Sequence, residues 1–341
     1  MTQQSLSSQG LKNIFLTGGT GFLGAYIIKE LIENGYKVRA IRRSLKLPFF
    51  VEAEILNQVE WVEGDILDVV SLFETMKGSD AVIHAAAEVS FHSSDRSSMF
   101  KTNVEGTANV VNAAIENNIA RFVYVSSVAA IGRSATGEAV DEEKKWLPSK
   151  TNTAYAISKY NAEVEAWRGF AEGLSTVIVN PSTILGYGDW SSGSCALFKN
   201  AYNEFPWYTT GINGFVDVED VARAVVLLME KDINGERYLL NAENISFQQL
   251  FTEMARGFNK KPPAKEANWF LGEIAWRWEK FKSIFTGKRP LLTKESARVA
   301  HSKTYFSNGK ILSALPGFSF TPLNETTKNA CKKYLNPVQP Q

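Results

Sequence analysis

Cysteine is nearly absent: Cys195 and Cys331 stand far apart in a chain of 341 residues, which excludes a disulfide framework. Histidine is as sparse, and His84, His92 and His301 show none of the spacings at which metal ligands recur, so no metal site is expected. Neither sign of charge prevails. With 37 basic against 36 acidic residues, a formal charge of +1 and no long run of one sign, nucleic acid and anionic membranes have no electrostatic footprint to meet. The polar start Met1–Gly10 lacks a signal peptide's basic and apolar regions, and no apolar run reaches the ~18 residues that span a bilayer. Internal repeats and low-complexity tails are missing too. These absences predict a soluble, cytoplasmic protein whose partner is a small molecule.

What is present is apolar material, 44 % of the chain, enough for a large core. From Asn13 to Val179 short β-rich apolar runs alternate with longer helical stretches, as in βαβ units building a doubly wound parallel sheet. Strands are expected at Asn13–Thr17, Lys37–Ile41, Gln58–Val62, Ala81–His84, Phe122–Ser126 and Thr176–Asn180. Past Pro181 the pattern turns irregular: a Gly/Ser-rich stretch, a helix at Val218–Glu230, then dense aromatics. This divides the chain into a larger unit, 11–185 with 215–240 returning to it, and a smaller mixed α/β unit for substrate, 186–214 and 241–336. Trp269, Phe270, Trp276, Trp278, Phe281 and Phe285 fall within 268–285, which reads either as a membrane-surface helix or as a helix packed on the smaller unit, the second preferred because charges interrupt the apolar face and the run is short.

Thr17-Gly-Gly-Thr-Gly-Phe-Leu-Gly24 follows the first strand and opens a helix expected at Ala25–Glu33. Glycines at 18, 21 and 24 let backbone approach a pyrophosphate, while the helix N-terminus offers free N–H groups and a favourable dipole. Gly18, Thr20, Gly21, Phe22, Leu23 and Gly24 are therefore candidate cofactor contacts, and the larger unit reads as a Rossmann-type nucleotide-binding fold. About twenty residues on, where an NAD-selective site carries an acid for the ribose hydroxyls, stand Arg42 and Arg43. Their guanidinium groups suit a 2′-phosphate, which makes NADP(H) the preferred cofactor and NAD(H) the alternative if the pair is merely solvated. Asp65 and Ile66 lie where the adenine would sit, although Asp65 could equally cap a helix.

Tyr155-Ala-Ile-Ser-Lys159 stacks a phenol and an ammonium on one helical face. A phenol titrating near pH 10 needs a fall of about 3 pH units to exchange protons near neutrality, and a neighbouring cation can supply it. Val123-Tyr-Val-Ser-Ser127 ends a strand in two hydroxyls, at the sheet edge where ligands bind in open α/β folds. Ser127 can orient a substrate oxygen beside Tyr155, while the bland role of such a serine is to cap the next turn.

Taken with His84-Ala-Ala-Ala87, Asn103-Val-Glu-Gly-Thr107, Asn180-Pro181 and Phe215-Val-Asp-Val-Glu-Asp-Val221, these motifs resemble the extended short-chain dehydrogenase/reductases along nearly the whole chain. The resemblance is strongest to the dihydroflavonol-4-reductase-like and 3-beta-hydroxysteroid dehydrogenase branch of the NAD-dependent epimerase/dehydratase superfamily. It implies Ser127, Tyr155 and Lys159 as catalytic residues, with Ala85, Ala86, Ala87, Ser126, Tyr155, Lys159 and Pro181 lining the cofactor. It also implies pairing as a homodimer through two helices of the larger unit. Nucleotide-sugar dehydratases of the superfamily carry an acidic pair after the catalytic hydroxyl, where this chain has Val128-Ala129; sugar epimerases carry an arginine before the Phe-Val-Asp motif, where it has Thr210–Gly214. The expected activity is hydride transfer between NADP(H) and a ketone or aldehyde of a largely uncharged substrate. A nucleotide-sugar 4-epimerase and a cofactor-sensing regulator are the competing classes. Phe91, Tyr187, Trp207 and Tyr208 are candidate pocket aromatics, or else core.

Overall fold

The computed structural model describes residues 10–133, 137–149, 152–286 and 293–337. Its main sheet uses seven strands: β1 (Asn13–Thr17), β2 (Lys37–Arg42), β3 (Glu60–Glu63), β4 (Ala81–His84), β5 (Arg121–Val125), β6 (Thr176–Pro181) and, after three short strands, β10 (Glu236–Leu240). They are all parallel, in the order β10-β6-β5-β4-β1-β2-β3. The order reverses between β1 and β4, so the carboxyl ends of these two strands open a crevice, the usual ligand site of a doubly wound sheet. Successive residues of each strand serve opposite faces. Ile14, Leu16, Val38, Ala40, Val123 and Val125 pack with the helices Phe22–Glu33 and Val218–Glu230, whereas Phe15, Ile41, Phe122 and Tyr124 pack with Gly106–Glu116 and Ala154–Ala171. Both faces are dry, which is why these strands read as continuous apolar runs rather than alternating ones.

The smaller part holds a mixed sheet of β7 (Thr183–Leu185), β9 (Ile212–Asp217) and β11 (Glu243–Ser246), and a parallel ribbon of β8 (Trp207–Tyr208) and β12 (Lys265–Glu266). A separate core of Leu185, Phe198, Phe215, Leu250, Met254 and Phe258 lies beneath them.

Two expectations need correction. The third strand begins at Glu60 rather than Gln58, because the amides of Gln58 and Val59 close the turn after the helix Ala53–Leu56, bonding to the carbonyls of Ile55 and Leu56. The aromatic segment does form a helix, Trp269–Thr286, but most of its large apolar side chains point outward: Trp269 is 68 % exposed, Trp278 65 % and Phe281 53 %. Among the described aromatic side chains, Trp276, half-buried between Arg277 and Lys294, turns toward the neighbouring helix Lys294–His301. Phe285's side chain lies outside the described residues.

Candidate active site

The loop after β1 leaves no room for a side chain at Gly18 or Gly24. Gly18 has φ +79°, in the left-handed region, and a Cβ there would sit 2.6 Å from the Ala86 amide nitrogen. A Cβ on Gly24 would lie 2.0 Å from the Gly18 carbonyl oxygen. The helix starts at Phe22, three residues before the expected Ala25, since the Ala25 amide already bonds to the Gly21 carbonyl at 3.1 Å. No side chain caps this helix, so its first amides are left to a ligand or to water. Thr20 is half-buried in the loop, Leu23 enters the helix, and the Phe22 ring packs edge-on against Tyr26 and Phe50.

At the end of β2 the two arginines part. Arg42 is half-buried with its guanidinium 5.5 Å above the Trp61 ring, and its Nε is buried without a partner. Arg43, 68 % exposed, lies 3.7 Å from Asp65, an ion pair worth little in open solvent. Asp65 also accepts from the Leu67 amide at 3.0 Å, and Ile66 is buried against Gly106.

Across the crevice, Ser127 caps the short helix Val128–Ile131, accepting from the Ala129 amide at 3.2 Å, and its hydroxyl stands near the Tyr155 phenol. Tyr155 stands in the first turn of Ala154–Ala171, which Thr153 caps. Burial pushes the phenol above its ordinary range and the neighbouring Ser127 hydroxyl pulls it partly back. One turn on, the buried Lys159 ammonium donates to the Tyr124 hydroxyl and the Val125 carbonyl, each at 2.9 Å. Burial drives its pKa down to about 7, against the opposing attraction of Glu163. The two bonds turn the ammonium toward β5, so no direct Lys159–phenol hydrogen bond enters the Tyr155 shift.

Glu163 is the residue that sequence reasoning missed. Its buried carboxylate accepts from Ser126 Oγ at 2.6 Å, from Asn180 Nδ2 at 2.7 Å and from Arg237 Nη1 at 3.1 Å. Asn180 also donates to the Ser127 carbonyl at 3.0 Å. The ends of β5 and β6, the helix and β10 are thereby tied together directly behind Ser127. A signal was available: Tyr155, Lys159 and Glu163 recur every four residues, so the helix turns all three the same way.

A second buried network orders the alanines after β4. Thr107 donates to the Asn103 carbonyl at 2.5 Å and so accepts from His84 Nε2 at 2.9 Å. His84 Nδ1 is then the acceptor for Thr17 Oγ1 at 2.6 Å, and Thr17 in turn accepts from the Ala86 amide at 3.2 Å. Asn103 continues the chain to Ser158 Oγ at 3.0 Å on the tyrosine's helix. Ala85 and Ala86 are thus pinned beside the glycine loop with Ala87 following them, and Pro181 closes β6 beside β10.

Of the candidate pocket aromatics, Phe91 meets Tyr155 edge-on, with ring centroids 6.0 Å apart. Tyr187 is core instead: its ring is buried against Tyr334 and its carbonyl accepts from Tyr26. Trp207 sits on the β8–β12 ribbon under Lys265, with Tyr208 next to it.

Residues 14–240 match the NAD dependent epimerase/dehydratase family. A Synechocystis protein provisionally named dihydroflavonol 4-reductase is 33 % identical over 309 residues, covering 88 % of each chain. Cinnamoyl-CoA reductase 1 of Petunia hybrida is 31 % identical over 264 residues, 73 % of this chain and 78 % of its own. Among solved structures, that of gox2253 superposes with a TM-score of 0.80 at 29 % identity, covering 95 % of this chain and 98 % of the other.

Proposed function

The chain belongs to the NAD dependent epimerase/dehydratase family and is an NAD(P)-dependent enzyme of the short-chain dehydrogenase/reductase type, and from that premise we propose that it interconverts a ketone or aldehyde and its alcohol, on a largely uncharged organic substrate, with NADP(H). The observation that carries this reading is the buried Tyr155 phenol, set near Ser127 at the carboxyl end of β5, on the crevice that the glycine loop also edges. Residues 18–24 fit a pyrophosphate because Gly18 and Gly24 let the backbone fold tightly against Ala86 and on itself, ahead of a helix whose first amides no side chain caps. Bound NADPH would supply the hydride. In the reduction, Tyr155 gives its proton to the carbonyl oxygen as the carbon takes the hydride, and Ser127 holds that oxygen in line. Lys159 would bond the cofactor ribose and, in its protonated form, place a positive charge one helical turn from the phenol.

Relatives named as a dihydroflavonol reductase and a cinnamoyl-CoA reductase favour an aromatic or alicyclic carbonyl compound. Phe91 supplies an apolar wall beside Tyr155 for it, and the unit formed by 186–214 and 241–336 would hold its remainder. Epimerisation of a nucleotide sugar is less well supported. The stretch Thr210–Gly214, where the sugar epimerases carry their arginine, holds no cation, and Gly211 within it is pressed against the Ala300 carbonyl.

NADPH consumption measured over aldehydes, ketones and nucleotide sugars tests the reading. Net oxidation with an uncharged carbonyl is expected. Tightly held oxidised cofactor that turns over UDP-sugars without net NADPH use would give the epimerase precedence. Tyr155→Phe should cut turnover by about a hundredfold or more with the NADPH dissociation constant nearly unchanged, since only the hydroxyl is lost. Ser127→Ala should cost less, and Lys159→Ala should weaken chemistry and affinity together. Full activity in Tyr155→Phe would remove the phenol as proton donor.

A further inference from the structure

The near-neutral total charge conceals a segregation. Residues 259–289 carry eight basic and three acidic side chains, a net +5, which leaves −4 on the rest of a chain whose total is +1. The same stretch contains the helix Trp269–Thr286, whose Phe270, Ile274, Trp278 and Phe281 recur at i, i+4, i+8 and i+11 and are each 50 % exposed or more. On a helical projection this stripe lies between Arg277 on one side and Lys282 on the other. The opposite face is committed to the protein, Gly272 meeting His301 and Trp276 meeting Lys294.

We propose that this helix seats the enzyme on an anionic lipid surface, lying in the interfacial plane with Phe270, Ile274, Trp278 and Phe281 among the acyl chains. Tryptophan and phenylalanine flanked by lysine and arginine suit that boundary, since the rings fill the apolar layer while the cations stay at headgroup level. A second copy of this chain is the poorer fit, because two such faces would bring +5 against +5. The helix lies flat rather than across, as no helix among the described residues is long and apolar enough to cross a membrane. Ahead of it, Phe205 and Trp207 are also exposed near Lys260, Lys261 and Lys265, extending the basic and aromatic surface. Anchored there, the enzyme would draw an apolar substrate directly from the bilayer.

Co-sedimentation of the full chain with phosphatidylcholine vesicles, with and without phosphatidylglycerol, tests the proposal. Binding is expected only with the anionic lipid, together with a blue shift of tryptophan emission and release as salt screens the attraction. Phe270→Ser/Trp278→Ser/Phe281→Ser should lower partitioning on the order of a hundredfold, with the NADPH dissociation constant in solution unchanged. The proposal fails if the parent stays in the supernatant with anionic vesicles, or binds neutral ones equally well. It also fails if the triple variant still binds vesicles and only shifts from dimer to monomer, which would make the face a self-association surface.

Discussion

His84 is wholly buried with both ring nitrogens engaged, and its pKa is driven from 6.5 down to about 3 by burial and, secondarily, by Lys159. The folded state therefore keeps the ring neutral through mild acid, while the unfolded chain takes up a proton as pH falls through 6.5. Because the unfolded state binds more protons below that point, stability present above pH 6.5 drains away between 6.5 and 3. Between pH 7 and 4.5 the loss assignable to this one group is about 2–3 kcal/mol. His84→Gln, which keeps an acceptor for Thr17 and a donor for Thr107, should cost some stability at pH 7 but shrink the difference between urea midpoints at the two pH values. An undiminished difference in the variant would mean that the imidazole protonates inside the fold. Glu163 shows the other side of such burial: its negative charge is tolerated in the core because Ser126, Asn180 and Arg237 all donate to it.

At the scale of elements, β1 and β4 fall where the sequence puts them because each is a short apolar run hemmed by turn residues and buried on both faces. The glycine loop was legible for the same reason that it works, since its spacing encodes backbone contacts that admit no side chain. The Glu163 cluster was not legible, because its members come from four elements brought together only by the sheet order, and no local pattern announces Arg237 on β10. The outward face of Trp269–Thr286 was hidden by an ambiguity of composition, since aromatic density alone does not distinguish a packed helix from a presented one. Gly24→Ala tests the loop. The added methyl would meet a fixed carbonyl 2.0 Å away, so the parting of loop and helix should cost about 1–3 kcal/mol and weaken cofactor binding with it. Gly35→Ala is the matching control: it has positive φ but open space around it, so it should cost about 1–2 kcal/mol of backbone strain and leave the cofactor dissociation constant alone. Equal cofactor affinities in parent and Gly24→Ala would refute the cradle.

Cofactor choice is read best on the whole molecule, because a ligand that binds only the folded state raises its stability by RT ln(1 + [L]/Kd). Arg42 is held over Trp61 with an unpaired Nε, and Arg43 faces solvent beside Asp65. A 2′-phosphate arriving between them would gain one partly exposed charge-assisted contact, on the order of 1.5–3 kcal/mol, which predicts roughly a ten- to hundredfold preference for NADPH over NADH. At equal saturating concentrations the same difference should appear in the unfolding free energy. NADPH should therefore give the higher melting temperature. Since the contact lies near the surface, added salt should narrow the gap between the two cofactors, whereas an arginine that only stacks on adenine would raise both alike at any salt. Arg42→Ala/Arg43→Ala should bring the two melting curves together by lowering that of the NADPH complex alone. Melting curves that coincide in the parent protein would mean that the basic pair is satisfied by Trp61 and Asp65, and NAD(H) would then be the working cofactor.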